Sequence, residues 1–268
     1  MIDCCWGAGV LSDECVFVPK FSEDYFCVPP SRFIFTHWPT KEGEQFLNPP
    51  LTGIDTFERL PAVKSKFFAN EVSLLEPKSA VIQVSSEGEA TVILTVPRDV
   101  HVKPWVSYGR INRDSHFIHE ELGDDRVKIV ISIRCLDQRE GLVSIGFKKG
   151  QQANFFEVGL QFSLLNPNLI SCPEFPVLYT PYTEGQISIF EPLILLLQQN
   201  KTYSFRAQTS RDDPAELVVF HDLNNIHKMK RNSKGEWAQN VVVNKAGLWY
   251  LSLLSGDRFV HIAKYNVL

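Results

Sequence analysis

Val127-Lys128-Ile129-Val130-Ile131-Ser132-Ile133-Arg134 places a β-branched aliphatic residue at every second position. In an extended chain successive side chains point to opposite faces. Val127, Ile129, Ile131 and Ile133 therefore share one face, and Lys128, Val130, Ser132 and Arg134 share the other. A strand with one apolar face belongs to a two-layer β structure. Upstream, Val81-Ile82-Gln83-Val84 and Ala90 to Val96 flank the turn Ser86-Glu87-Gly88-Glu89. Downstream, Leu142 to Phe147 follows a glycine turn, and Phe155 to Leu165 follows Lys148-Lys149-Gly150. Short strands separated by turns at this spacing, with no helix-period segment between them, predict a β-sandwich over residues 69–166.

Residues 167–268 repeat the theme. Gln186 to Phe190, Thr202 to Ala207, Glu216 to Phe220, Trp237 to Val243, Leu248 to Leu254 and Phe259 to Val267 read as strands. Both sections end alike: a Gly-Leu opening (Gly141-Leu142, Gly247-Leu248), an apolar strand, a polar turn and a Phe-led strand. Two copies of one fold in tandem are expected, with the boundary at Leu165-Asn166-Pro167-Asn168, where Asn and Pro disfavour strand continuation. A length of 268 residues suits about two such domains, and 19 Phe suit aromatic-rich β cores. Residues 1–68 lack the alternation. They read as short strands and loops with one helix at Gly53–Leu60, capped by Thr52 and stopped by Pro61.

The net charge of −4 gives no general attraction for phosphates or anionic lipids, which argues against nucleic acid and membrane surfaces as partners. Four of the six cysteines, Cys4, Cys5, Cys15 and Cys27, crowd the N-terminus, and Cys135 and Cys172 fall one to each sandwich section. That distribution suggests reduced thiols and a cytoplasmic setting. The first residues lack a basic and apolar leader pattern, and the longest apolar run, Pro192 to Leu197, is far too short to span a bilayer. Asn200-Lys201-Thr202 is a lone sequon of the kind chance supplies.

Ile2-Asp3-Cys4-Cys5-Trp6-Gly7-Ala8-Gly9 resembles the acidic end of a transglutaminase-like core, with Cys5 standing where Thr or Ser is usual. Asp24 to Pro39, Gln45-Phe46-Leu47-Asn48-Pro49-Pro50 and Phe57-Glu58-Arg59-Leu60-Pro61 resemble, in the same order, the segment that follows this core in the kyphoscoliosis-peptidase family. The resemblance implies a mainly β chain: two tandem immunoglobulin-like sandwiches after a short remnant (residues 1–68) of an α+β transglutaminase-like core. In that family a Cys attacks an acyl carbon, a His takes its proton and an Asp orients the imidazole. Only Asp3 matches a member of that triad, as its orphaned acid. The Cys and His lie upstream of the matching position, so this chain alone is expected to be inactive, while a full-length relative would be a cysteine peptidase. The resemblance also implies a structural or protein-binding role at the cytoskeleton or cell cortex, with a protein partner; with no Gly-rich phosphate loop, zinc-ligand pairing or nucleophile elbow in the sequence, neither cofactor nor metal is expected.

Other candidates carry less. Cys4 and Cys5 have no cationic neighbour in sequence to activate a thiol, and His37 falls in a structural Thr-His-aromatic-Pro stretch of the resemblance. His116 and His119, three apart on a strand, face opposite sides and cannot share an ion, so solvated edge histidines are expected. His227-Lys228-Met229-Lys230-Arg231 reads as a solvated strand face. Trp105, Trp237 and Trp249 could form a sugar-stacking platform, though Trp on a sandwich strand is more often core.

Without the earlier strands of such a core, Ile2 and Trp6 lack burial partners, and each exposed large apolar side chain forgoes roughly 1.5–3 kcal/mol. Amide exchange is therefore expected to be fast over residues 1–20, intermediate over 25–68 and slow in the sandwich strands. Uniformly slow exchange from Ile2 onward would contradict the remnant reading.

Overall fold

A computed structural model describes residues 1–121, 125–150, 155–179, 187–209, 216–256 and 258–268. The N-terminal section holds a hairpin of β1 (Gly9–Leu11) and β2 (Phe17–Pro19), then three one-turn helices, α1 (Pro30–Phe33), α2 (Ile54–Glu58) and α3 (Ser65–Ala69). β3 (Ala62–Val63), between α2 and α3, pairs with a sandwich strand and ties this section to the first sheet. The helix expected at Gly53–Leu60 is present, but its cap is Gly53 and not Thr52. Gly53 adopts φ +83°, which turns the chain so that helical geometry starts at Ile54. Thr52 is left outside, where its carbonyl accepts the Thr56 hydroxyl at 2.9 Å.

The first sandwich contains β4 (Ser73–Glu76), β5 (Val81–Gln83), β6 (Glu89–Pro97), β7 (Val100–Tyr108), β8 (Ile111–Asp114), β9 (His116–Glu121), β10 (Arg126–Arg134), β11 (Glu140–Lys149) and β12 (Glu157–Leu165). One sheet runs β4-β6-β10-β9 and the other β3-β12-β11-β7-β8, with β5 parallel to β12. β10 is the strand read first. Ile129, Ile131 and Ile133 are fully buried, with Leu94 and Val92 opposite the first two in the β6–β10 ladder. Each such side chain contributes roughly 1.5–3 kcal/mol by leaving water.

The second sandwich repeats this topology. It contains β13 (Val177–Leu178), β14 (Ile187–Glu191), β15 (Leu196–Leu197), β16 (Thr202–Thr209), β17 (Glu216–Phe220), β18 (Ile226–Lys228), β19 (Lys230–Arg231), β20 (Glu236–Val242), β21 (Gly247–Ser255) and β22 (Arg258–Val267). Its sheets are β14-β16-β20-β19 and β13-β22-β21-β17-β18, with β15 parallel to β22. In both units the first strand leaves one sheet at a Glu-Pro pair, Glu76-Pro77 or Glu191-Pro192, and its continuation joins the last strand of the other sheet. This split first strand and the two-sheet order are immunoglobulin-like, so the chain is mainly β with two such sandwiches in tandem. Gln186, the first residue of one expected strand, lies outside the described residues.

β7 has no clear signature in the sequence because Pro104 interrupts it. Pro104 nevertheless pairs with Ile145 of β11. Its carbonyl accepts the Ser115 N–H, so its nitrogen faces the β8 side, past the end of that short strand, where the ladder asks for no donor.

The sandwiches meet through β9 and β14, edge strands of their four-stranded sheets. His116, expected to be solvated, is buried here with 1% exposure. Its Nε2 donates to the Ile189 carbonyl at 2.7 Å, and its ring stacks on Phe175. An edge strand covered by a second domain no longer faces water, which the sequence of one strand cannot reveal. Arg134 reaches across from the end of β10. It donates to the carbonyls of Pro173 and Leu193, pairs with Glu89 at 2.9 Å, and lies over the Phe175 ring at 4.2 Å. Arg113 pairs with Glu174 at 3.0 Å. In the connection itself, Asn166 is buried and its side chain bonds the Leu136 and Ile170 carbonyls and the Ile170 N–H.

Burial, reinforced by the Arg134 charge, pushes His116 down to about 4 from 6.5, although its bond to Ile189 opposes the shift. A lowered histidine pKa contributes stability in full above the unfolded value and loses it as pH falls toward the folded one. Stability is thus expected to drop by roughly 3 kcal/mol from this group between about pH 6.5 and pH 4. Denaturant titrations across that range check it, with His116→Gln expected to flatten the slope; an unchanged slope in the variant rejects the assignment.

Candidate functional site

Residues 1–3 pair with residues 25–28: the Asp3 N–H donates to Tyr25, the Val28 N–H to Met1, and the Met1 ammonium to Val28. This fixes Asp3 in front of α1. The Asp3 Oδ1 accepts the N–H groups of Cys5 at 2.7 Å and Trp6 at 2.9 Å, the local turn that a short acidic side chain favours. Its Oδ2 lies 2.7 Å from Nε2 of His37. His37 leaves the turn that continues α1, its N–H bonded to Phe33, and its ring stacks on the Phe33 ring at 4.0 Å with Trp6 edge-on. The other ring nitrogen, Nδ1, lies 2.8 Å from the Thr36 hydroxyl, which is also within 3.2 Å of the Phe33 carbonyl.

A carboxylate accepts, so Nε2 carries a proton toward Asp3. The Asp3 carboxyl is held below its ordinary range chiefly by the Trp6 N–H, with His37 and the Cys5 N–H adding to it against partial desolvation. A cavity of about 500 Å³ opens beside this pair and is lined by Asp3, Cys4, Cys5, Phe33, His37 and Gln45, among others. Gln45 is buried and exchanges two hydrogen bonds with the Leu51 backbone, which pins that wall. The residues form a hydroxyl–imidazole–carboxylate chain with thiols in the same cavity. Both ring nitrogens are already engaged, so no free lone pair on His37 faces Cys4 or Cys5 in this arrangement.

Asp3, the candidate acid of the sequence, is joined to His37, which sequence read as structural. No periodicity links residues 34 positions apart, so this pairing had no local signal. The other candidates fall apart in space. Trp249 is fully buried and Trp237 nearly so, which removes the stacking platform. Met229 points into the core between β18 and β19, while Lys228 pairs with Glu216 and Lys230 and Arg231 face solvent. Among the described residues no group of three or more His, Cys, Asp or Glu could hold a metal ion, and no helix is long and apolar enough to cross a membrane.

Residues 54–133 match the family model of the KY-like, immunoglobulin-like domain. Hillarin of Drosophila melanogaster is 34% identical over 82 residues, which are 30% of this chain and 10% of that protein. The match therefore spans about a tenth of the length of this curated relative. Among solved structures, the neural ectodermal development factor IMP-L2 aligns over 74% of this chain and 94% of its own, at 10% identity and a TM-score of 0.27. A chimeric titin tandem aligns over 74% and 98%, at 13% identity and a TM-score of 0.22. A second titin tandem of immunoglobulin domains aligns over 73% and 95%, at 12% identity and a TM-score of 0.21.

Because the Trp6 N–H is the leading cause of the lowered Asp3 pKa, His37→Ala is expected to leave that carboxyl still below the ordinary range, though higher than in the parent. Carbon-detected NMR titration of Asp3 reads this directly. A return to the ordinary carboxylate value would assign the shift to His37 instead.

Proposed function

We propose that this chain is a non-catalytic protein-interaction and structural module of kyphoscoliosis-peptidase type, with a cytoskeletal protein partner and a place in the cytoplasm at the cytoskeleton or cell cortex. The observation that carries it is the apolar hairpin at the N-terminus. Val10, Leu11, Val16, Phe17, Val18 and Phe21 are all exposed, within one short stretch. Contiguous exposed apolar surface of this kind marks protein contacts, whereas scattered apolar residues do not. The KY-like match and the similarity to Hillarin favour the same class of role, and the partner is inferred from that resemblance.

A second reading rests on Asp3. The chain would be the downstream part of an active transglutaminase-like cysteine peptidase, with Asp3 as the triad acid, His37 its partner until the catalytic His docks, and the hairpin covered by upstream strands. A coding sequence that continues upstream in frame with a Trp- and His-bearing strand and an earlier Cys-led helix favours this reading over the first.

The purified chain is expected to show neither peptidase nor transamidase turnover and to co-sediment with a detergent-insoluble cytoskeletal fraction. Leu11→Asp with Phe17→Asp should weaken that binding by about a hundredfold, since each lost apolar contact is worth about 1.4 kcal/mol or more. Equal retention of the double variant sinks the hairpin as the contact. Turnover abolished by Cys4→Ala or Cys5→Ala sinks the non-catalytic reading.

A further inference from the structure

Cys135 and Cys172, counted in the sequence as one to each sandwich, are neighbours in space. Cys135 follows β10 at the end of the first sandwich, and Cys172 lies on the connection to the second. A backbone hydrogen bond joins them, with the Cys172 N–H donating to the Cys135 carbonyl at 3.1 Å, and next to it the Arg134 guanidinium donates to the Pro173 carbonyl. Residues bridged in this way have Cα separations within the range that a disulfide spans. Both sulfurs crowd Gly88. A methyl carbon placed on Gly88 would lie 2.7 Å from the Cys172 sulfur and 3.2 Å from the Cys135 sulfur, so the two sulfurs border one small space. Each thiol is free and donates to a carbonyl, Cys135 to Ile170 at 2.9 Å and Cys172 to Glu87 at 2.8 Å.

We propose that Cys135 and Cys172 form a dithiol–disulfide site that locks the connection between the sandwiches when oxidised by a small-molecule disulfide. Cys172 is half-buried and meets the oxidant first, because Cys135 is fully enclosed. The Cys172 thiolate attacks one sulfur of the small disulfide, whose S–S bond breaks and releases one thiol. The Cys135 thiolate then attacks the Cys172 sulfur of the mixed disulfide, the new S–S bond breaks in turn, and the second small thiol departs. The two protein thiols lose one proton each, and the two released thiolates take them up. The protein pair is oxidised by two electrons and the small disulfide reduced by two. Burial raises both thiol pKa values, and the neighbouring sulfur raises that of Cys135 further, so exchange is slow near neutral pH and speeds up in alkali.

The bond would add a covalent tie where Arg134, Asn166 and Phe175 already hold the connection, and it closes a loop containing β11 and β12. It ties down a segment that the reduced protein holds through hydrogen bonds and ring contacts. Cleavage of the connection therefore reads the state of the site.

The test uses the full chain with Cys4, Cys5, Cys15 and Cys27 changed to Ser, equilibrated with oxidised or reduced glutathione. Non-reducing peptide mapping should find a Cys135–Cys172 linked peptide, lighter by two hydrogens, as the main oxidised product. Limited proteolysis between residues 166 and 176 should slow several-fold on oxidation and recover on reduction. Cys172→Ser, at the less buried position, should fold as the parent does and show neither response. Both cysteines remaining alkylatable, a glutathione adduct on Cys172 without closure, or a linked peptide with unchanged cleavage would each overturn the proposal.

Discussion

The guanidinium of Arg134 fixes the relation of the two sandwiches. It sits at the end of the strand whose opposite face is the isoleucine row of the first core, so its position is set by that packing. From there its donors reach Glu89 in its own sheet and the carbonyls of Pro173 and Leu193 beyond the boundary, while its flat face covers Phe175. Arginine suits this task because its planar fork offers several fixed donors and stacks on an aromatic ring together. A lysine would supply a charge but could not hold carbonyls and ring in one geometry. Phe175 in turn carries the ring of His116, so charge, carbonyls and buried imidazole form one connected contact. The second sandwich is placed by these contacts as much as by chain connectivity.

Tandem sandwiches often behave as beads on a flexible thread, because a short polar connection leaves each unit its own core. Here apolar packing continues across the boundary, and buried residues of both units belong to one cluster. The edge strands β9 and β14 shield one another. An exposed strand edge invites unwanted pairing, and covering it with a neighbouring domain is one way to blunt it. The sequence carries no mark of this, since His116 in isolation looks like a polar residue on a solvated edge.

What could be read in advance follows the range of the interaction. The alternation at residues 127–134 reports a local constraint, namely which side of one strand is dry, and the structure has that strand with that face inward. The repeat of a Gly-Leu opening and a Phe-led strand also carried through to two units with the same sheet order. β7 escaped because a proline is tolerated where a neighbouring strand stops short, a condition visible only once β8 has a length. Thr52 and Gly53 are both acceptable caps by residue type, and the choice was made by a positive φ. The Asp3–His37 pair and the Cys135–Cys172 pair join residues far apart in sequence, and no pattern within a window can find them. In each case the residue types invited attention, while the partner was supplied by the fold.

In each unit the second half of the split first strand lies beside the last strand and points the same way, β5 along β12 and β15 along β22. If these two neighbours are drawn toward their own chain ends, one is pulled backward and the other forward, along the line of contact. The hydrogen bonds between them, such as Ser163 N–H to Ala80, Val84 N–H to Leu165, Asn266 N–H to Leu195 and Leu268 N–H to Leu197, then take the load together and not one after another. A hairpin peeled from its open end gives way bond by bond, whereas this arrangement must slide as a whole. At this parallel contact a pull along the strands loads the ladder in shear.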